Sequence, residues 1–265
     1  MTEVTKLPAN CDRLVLLDEA AMAACGQKHV YFRSLAPTAA TSSSPSSPTA
    51  AVEVPLPKHV GCCAPWHPPG APLEQCGAFY AEAGRIHFRR CGAAQEQRDV
   101  LESPPPAAAA VEEMEVFFGT TLVVRTAEEV LCYALDPSSN ADATLTPLPP
   151  LIGRAQLPHS SITKAPAGVA VMMGAAPTGP TSDDADHAFA VVVHDGAADG
   201  RVDALLLAVG QSRVTVRQRT AAGGLTLPHG SSALRCWSFD WSRRAVLFVL
   251  GDGNYTCTLA LDAMA

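Results

Sequence analysis

Three features of the 265-residue sequence predict an all-β, propeller-like fold. Its apolar runs are strand-sized, rich in β-branched and aromatic residues, and bounded by Gly, Asp or Asn. Helix signals are scarce. Glycines near the ends of these runs recur at Gly26, Gly77, Gly119, Gly174, Gly210 and Gly251, at intervals of 51, 42, 55, 36 and 41 residues. A recurrence of about 40 to 50 residues with three or four short strands per unit is the pattern of propeller blades. One small sheet cannot cover both of its faces, and neighbouring sheets packed side by side can. The expectation is about five to seven small antiparallel blades with Pro/Ser/Ala-rich loop insertions, residues 1–265 forming a single propeller-like domain.

Taken in order, "RLVLLD" (13–18) reads as a strand. "LLDEAAMAACG" (16–26) has apolar spacing near 3.6 and a Gly stop, which suit a helix, while a strand–turn–strand reading competes. "KHVYFRS" is a strand. "APTAATSSSPSSPTAAVEVPLP" (36–57) has little to bury and is expected to be a flexible insertion. "KHVGCCAPWHPPGAPLEQC" (58–76) reads as a Pro-rich loop anchored by its Trp. "GAFYAEAGRIHFRR" and "VFFGTTLVVRTAEEVLCYAL" follow as strand pairs, the second turning at Ala127–Glu129. Loop-like segments at 102–110, 136–150 and 176–186 alternate with "HAFAVVVHDG", "ALLLAVGQSRVTVRQRT" and "RAVLFVLGDGNYTCTLAL". The two Asp-Gly signals of "HDGAADGRV" mark a hairpin. The final "CTLAL" is expected to pair with "RLVLLD", because propellers often close their last blade with a strand from the other end of the chain.

Four stretches carry a family resemblance: "GAFYAEAGRIHFRRCG" (77–92), "GTTLVVRTAEEVLCYA" (119–134), "HAFAVVVHDGAADGRV" (187–202) and "GDGNYTCTLALD" (251–262). Each echoes part of a repeat with a Gly, an apolar strand, an Asp-Gly turn and a second strand. In this the chain resembles the regulator of chromosome condensation family. The glycines after each outer strand are mostly missing, and no residue matches that family's exchange-factor wedge, so no functional residue carries over. "ALRCWSFDWSRRAVLFVLGDGNYTCTLALD" (233–262) also resembles a blade of a WD-repeat propeller, without the Trp-Asp ending.

Charge and composition exclude several function classes. The net charge is −7 and the 19 Lys and Arg are scattered, so a broad grip on nucleic acid is not expected. Arg89-Arg90 and Arg243-Arg244 read as solvated strand or turn residues. No apolar run reaches the roughly 18 residues of a membrane helix. The N-terminus lacks a secretory core, and the nine cysteines are spread through apolar stretches. Together these predict an intracellular chain, cytoplasmic or nuclear, with buried reduced thiols.

Candidate chemistry is sparse. His59, Cys62, Cys63, His67 and Cys76 are zinc-ligand types, but they lack a C-x₂-C pair and adjacent extended cysteines point apart. Cys25 with His29 can be written as a thiol–imidazole pair, without an orienting carboxylate. "TSDDAD" (181–186) lacks the order of a calcium loop. His187 and His194, seven apart on one strand, face opposite sides. No nucleophile elbow or phosphate-binding loop occurs. Trp237, Phe239 and Trp241 in "CWSFDW" share one face at period two, either as a blade-to-blade seam or as a partner-binding ridge.

No metal, cofactor or small-molecule substrate is therefore expected, and no enzymatic activity. The sequence predicts a noncatalytic protein-interaction scaffold or accessory subunit of a larger complex, with other proteins as partners. The family resemblance implies an alternative, a guanine-nucleotide exchange factor for a small GTPase.

Overall fold

The structure is a computed structural model. It describes residues 11–17, 21–35, 51–58, 60–92, 97, 100–102, 104–106, 109–136, 148–157, 169–175, 187–195, 201–209, 214–219, 225–226, 234–240, 242–243, 245–250 and 255–260.

Five sheets account for nearly all of it, and each is a meander in which strands pair in chain order. The first holds β1 (Cys11–Leu16), β2 (Ala21–Gly26), β3 (His29–Ser34) and β4 (Ala51–Pro55). The second holds β5 (Cys63–Trp66), β6 (Gly77–Glu82) and β7 (Arg85–Arg90). The third holds β8 (Val111–Phe117), β9 (Thr121–Thr126), β10 (Glu129–Ala134) and β11 (Leu151–Gln156). The fourth holds β12 (Val169–Ala175), β13 (His187–Asp195), β14 (Arg201–Val209) and β15 (Val214–Arg219), with β16 (Leu225–Thr226) also on β14. The fifth holds β17 (Leu234–Asp240), β18 (Ala245–Leu250) and β19 (Tyr255–Ala260). A single turn of 3₁₀ helix, Leu73–Gln75, is the one helical element among the described residues. The described residues are thus all-β, built from small antiparallel sheets. The chain divides into two compact units, Met1–Thr126 with Cys132–Leu151, and Ala127–Leu131 with Ile152–Ala265.

In the first unit, the second sheet is buried on both faces. Residues alternate across a strand, and the register Cys63↔Tyr80↔His87 places these three on one face. The neighbouring register Ala64↔Phe79↔Phe88 occupies the other face. On the first face, Cys76, Ala78 and Tyr80 form one core with Ala23, Cys25, Val30, Phe32 and Val54 of the first sheet. On the second, the rings of Trp66, Phe79 and Phe88 lie 4.8–5.8 Å apart, a spacing that suits tilted and edge-on aromatic pairs. Each such side chain removed from water contributes about 2–3 kcal/mol. Trp66 Nε1 also donates to Gly119 O at 2.7 Å, which joins β5 to the turn between β8 and β9.

Two turn positions show why particular residues are needed. Ala83 (φ 50°) and Gly84 (φ 76°) make the two-residue link between β6 and β7, the left-handed pair that matches strand twist. Phe118 (φ 58°) and Gly119 (φ 67°) open the β8–β9 turn. A Cβ on Gly119 would stand 2.9 Å from Pro69 Cγ, so the glycine answers both to backbone and to close approach.

In the second unit, Leu205, Leu206, Leu207 and Ala208 are buried in succession, so β14 is covered on both sides. Val246 of β18 is fully buried. Gly153 leaves room for Val214, whose Cβ would lie 2.5 Å from an added methyl.

Several expectations change. Of the two readings of 16–26, the strand one holds for the described part: Leu16 ends β1 and Ala21–Gly26 is β2, with Ala23 paired to Phe32 and Ala24 to Tyr31, while residues 18–20 lie outside the described residues. Burial between sheets overrides the alanine preference for helix. Residues 51–55 of the expected insertion 36–57 form β4, because Val52 and Val54 alternate with Glu53 and Val54 is fully buried; residues 36–50 lie outside the described residues. The Pro-rich 58–76 segment contains β5, whose Pro65 is accommodated on the edge strand of its sheet. The recurring glycines are not equivalent: Gly26 ends β2, Gly77 starts β6, Gly119 lies in a turn and Gly174 is inside β12. Gly210 and Gly251 lie outside the described residues. Among the described residues the pairings found for "CTLAL" and "RLVLLD" are other ones: β19 pairs with β18, and β1 pairs with β2. Arg90 is buried rather than solvated, since it pairs with Gly77, which has no side chain to exclude it.

Candidate functional site

A pocket of about 560 Å³ opens in the first unit. Arg13 and Cys25 come to it as cross-strand partners on β1 and β2. Cys62 and Cys63 lie at the entry to β5, and Glu113 and Met114 come from β8. Arg13 is held there by its guanidinium. Nη2 donates to Cys63 O at 2.5 Å and lies 4.0 Å from Cys25 Sγ. Burial opposes the Arg13 charge, but Cys25, Cys63 and Glu115 together raise its pKa. Glu115 is itself pushed up by burial, with Arg13 acting against that shift. Glu113 is held on the pocket wall by Arg125, whose Nε donates to Glu113 Oε2 at 3.0 Å while Nη1 pairs with Glu112.

Cys62 and Cys63 hold their protons more tightly than usual. Cys62 is pushed up to about 11, first by burial and then by the Glu113 charge. Its Sγ lies 3.9 Å from Val111 O. Cys63 is raised by its hydrogen bond to Cys25 and by burial. Away from the pocket, burial alone pushes Cys132 up to about 12. A protonated thiol is a poor nucleophile, so Cys62 does not have the character of an activated catalytic cysteine.

These shifts set an alkaline limit. The folded chain holds the Cys62 and Cys132 protons more tightly than the ordinary value of 9.0, at about 11 and about 12. The stability this contributes is complete below pH 9 and is lost as pH rises through 11 to 12. Urea midpoints measured from pH 8 to pH 11 are expected to fall steadily above about 9, and Cys132→Ala is expected to flatten that fall. An unchanged slope in the variant would remove Cys132 from the account.

The described zinc-type residues do not converge. His59 lies outside the described residues. Cys76 is buried in the core between the first two sheets, and His67 Nε2 sits 2.8 Å from Ala71 O. Among the described residues, no group of three or more His, Cys, Asp or Glu side chains is placed to hold a metal ion. His29 turns to Glu53 on the neighbouring strand, with its ring tilted 30° to that of Tyr31 at 5.8 Å, so its carboxylate contact lies across β3 and β4. His187 and His194 both fall on β13, and residues 181–186 lie outside the described residues.

The aromatic stretch is divided. Trp237 and Phe239 take register positions opposite Phe248 and Val246 on β18, and Trp241 lies outside the described residues. Phe239 is half-buried, while Ser238 and its partner Leu247 are exposed. This parity sets Phe239 on the side of the buried Val246.

No family model matches the chain, and no curated protein matches it. Solved structures similar to it include Hsv2 of Kluyveromyces marxianus, at 7% identity and a TM-score of 0.40, covering 95% of this chain and 76% of that one. Hsv2 of Kluyveromyces lactis is similar at 8% identity and a TM-score of 0.37, over 91% and 71% of the two chains. The WD40 domain of SCAP from fission yeast is similar at 10% identity and a TM-score of 0.33, over 70% of this chain and 39% of that one. Among the described residues, no helix is long and apolar enough to cross a membrane.

The pocket was not legible as a unit beforehand. Arg13 and Cys63 are 50 residues apart, and no periodicity joins them. The adjacent Cys62-Cys63 pair was the one local signal.

Proposed function

We propose that the chain acts as a noncatalytic, propeller-like interaction scaffold or accessory subunit, with other proteins as its partners. The observation that supports this most is the second sheet, buried on both faces between its neighbours. Such packing gives a rigid frame from which inter-strand loops project, and rigidly held loops are suited to recognition. The protonated state of Cys62 adds to the reading, because the pocket lacks a ready nucleophile there.

Affinity capture from native cells, followed by reconstitution with the purified candidate, tests the scaffold reading. The expected result is a stoichiometric complex seen by native mass spectrometry. Captured proteins that all fail to bind in purified form would overturn it. The exchange-factor alternative rests on the sequence resemblance alone.

A further inference from the structure

We propose that the pocket of the first unit is a binding site for a single carboxylate on a short aliphatic body, with Arg13 as its anchor and Gln27 and Lys58 as further donors. This goes beyond the scaffold reading and does not depend on it.

The cavity gathers donors that the protein itself leaves unused. Arg13 Nη2 is taken up by Cys63 O at 2.5 Å, with Cys25 Sγ at 4.0 Å, which holds the guanidinium in place. Its Nε and Nη1 meet no acceptor among the described residues. Neither is a buried unpartnered nitrogen, so both open on the cavity that Arg13 lines. Arg13 is half-buried, yet it forms no ion pair among the described residues; Glu115 acts on its charge without pairing with it. A charge drawn out of water is normally met by an opposite one. Gln27 and Lys58 also line the cavity, and both are exposed. They bring an amide and an ammonium, and neither side chain has a partner among the described residues.

The remaining lining narrows the anion to a carboxylate. On β8, Glu113 shares the Arg125 guanidinium with Glu112, so two carboxylates are balanced by one cation. That wall keeps a net negative charge and resists a doubly charged ligand such as phosphate. A singly charged carboxylate meets two unpaired cations, Arg13 and Lys58, and its oxygens suit the planar N–H donors of a guanidinium. The volume of about 560 Å³ falls within the range of small-molecule sites. Val60, packed against the core of the first two sheets, gives the ligand an apolar surface to rest on.

The test uses the full-length chain at neutral pH and low salt. Hexanoate is titrated by ligand-observed NMR, and Arg13 is followed in parallel by phenylglyoxal labelling and peptide mass spectrometry. The expected result is saturable binding at roughly 1 mM, the range for a ligand of this size, with Arg13 labelling slowed as the site fills. Hexanamide, which has the same shape without the charge, neither binds nor protects. Adipate, with two charges, binds no more tightly than hexanoate. Arg13→Gln weakens hexanoate binding at least roughly tenfold. Lys58→Gln weakens it about twofold, as suits an exposed charge. Acetyl-leucyl-leucine reads the source of the carboxylate: tighter binding than hexanoate assigns it to a chain end, and weaker binding to a free acid. No saturation by about 20 mM hexanoate, equal protection by hexanamide, or Arg13 labelling that ignores saturating hexanoate would each overturn the proposal. If Arg13→Gln fails to fold, the wild-type labelling and Lys58→Gln decide.

Discussion

Replacing Trp66 by alanine is expected to lower the unfolding free energy by about 4–5 kcal/mol, the upper range for deleting a large aromatic side chain from a core. Trp66 is fully buried, and its ring lies 5.8 Å from Phe79 and 5.7 Å from Phe88. The substitution removes this packing and leaves Gly119 O without the Nε1 donor that meets it at 2.7 Å. Losing that bond to a part-buried acceptor adds up to about 1 kcal/mol. Trp66→Phe separates the two parts. It keeps an aromatic ring and deletes the donor, so it is expected to cost about 1–2 kcal/mol. Urea unfolding followed by far-ultraviolet circular dichroism measures both. A cost below about 1 kcal/mol for the alanine variant would mean that the second sheet is not packed as described.

Gly77→Ala is expected to be the other severe change, destabilising by about 3 kcal/mol through overpacking. An added Cβ would lie 2.6 Å from Phe88 Cε2 and 2.9 Å from the backbone oxygen of Arg89. Phe88 has nowhere to retreat, because its ring is enclosed by Trp66 and by Phe79 at 4.8 Å. The backbone oxygen belongs to the strand paired with β6 and moves only if the ladder does. Phe88→Leu in the Gly77→Ala background is expected to recover part of the loss, giving a favourable coupling in a double-mutant cycle. Additive effects of the two changes would place the clash elsewhere.

These two residues also show what the sequence made legible. Strand identity was readable where turn chemistry was explicit. Thr126 ends β9 and Glu129 begins β10, so the hairpin falls where Ala127–Glu129 signals it. The pairing Asp195↔Arg201 likewise follows the Asp-Gly signals of 194–202. Trp66 was recognisable as an anchor, although its neighbours looked like loop. Gly77 belonged to a set chosen for its spacing, yet its role is the space it leaves for Phe88, a matter of packing that spacing does not encode. Ala21–Gly26 was ambiguous because alanine favours a helix by itself and fits a strand only when sheets press close on both sides. Arg13, Cys25 and Cys63 meet through pairing and stacking between separate sheets, so nothing local marks them as one site.

The chain-order pairing within each sheet bears on how the molecule assembles. Within each sheet, every strand after the first, except β16, pairs with the one made just before it. Loops closed in this way are short for much of the chain, and closure entropy grows with loop length. An all-β protein whose pairings were far apart in sequence would be slow to find them. Here a nascent chain can zip each meander as its residues emerge, leaving the docking of finished sheets on one another as the slower, later event.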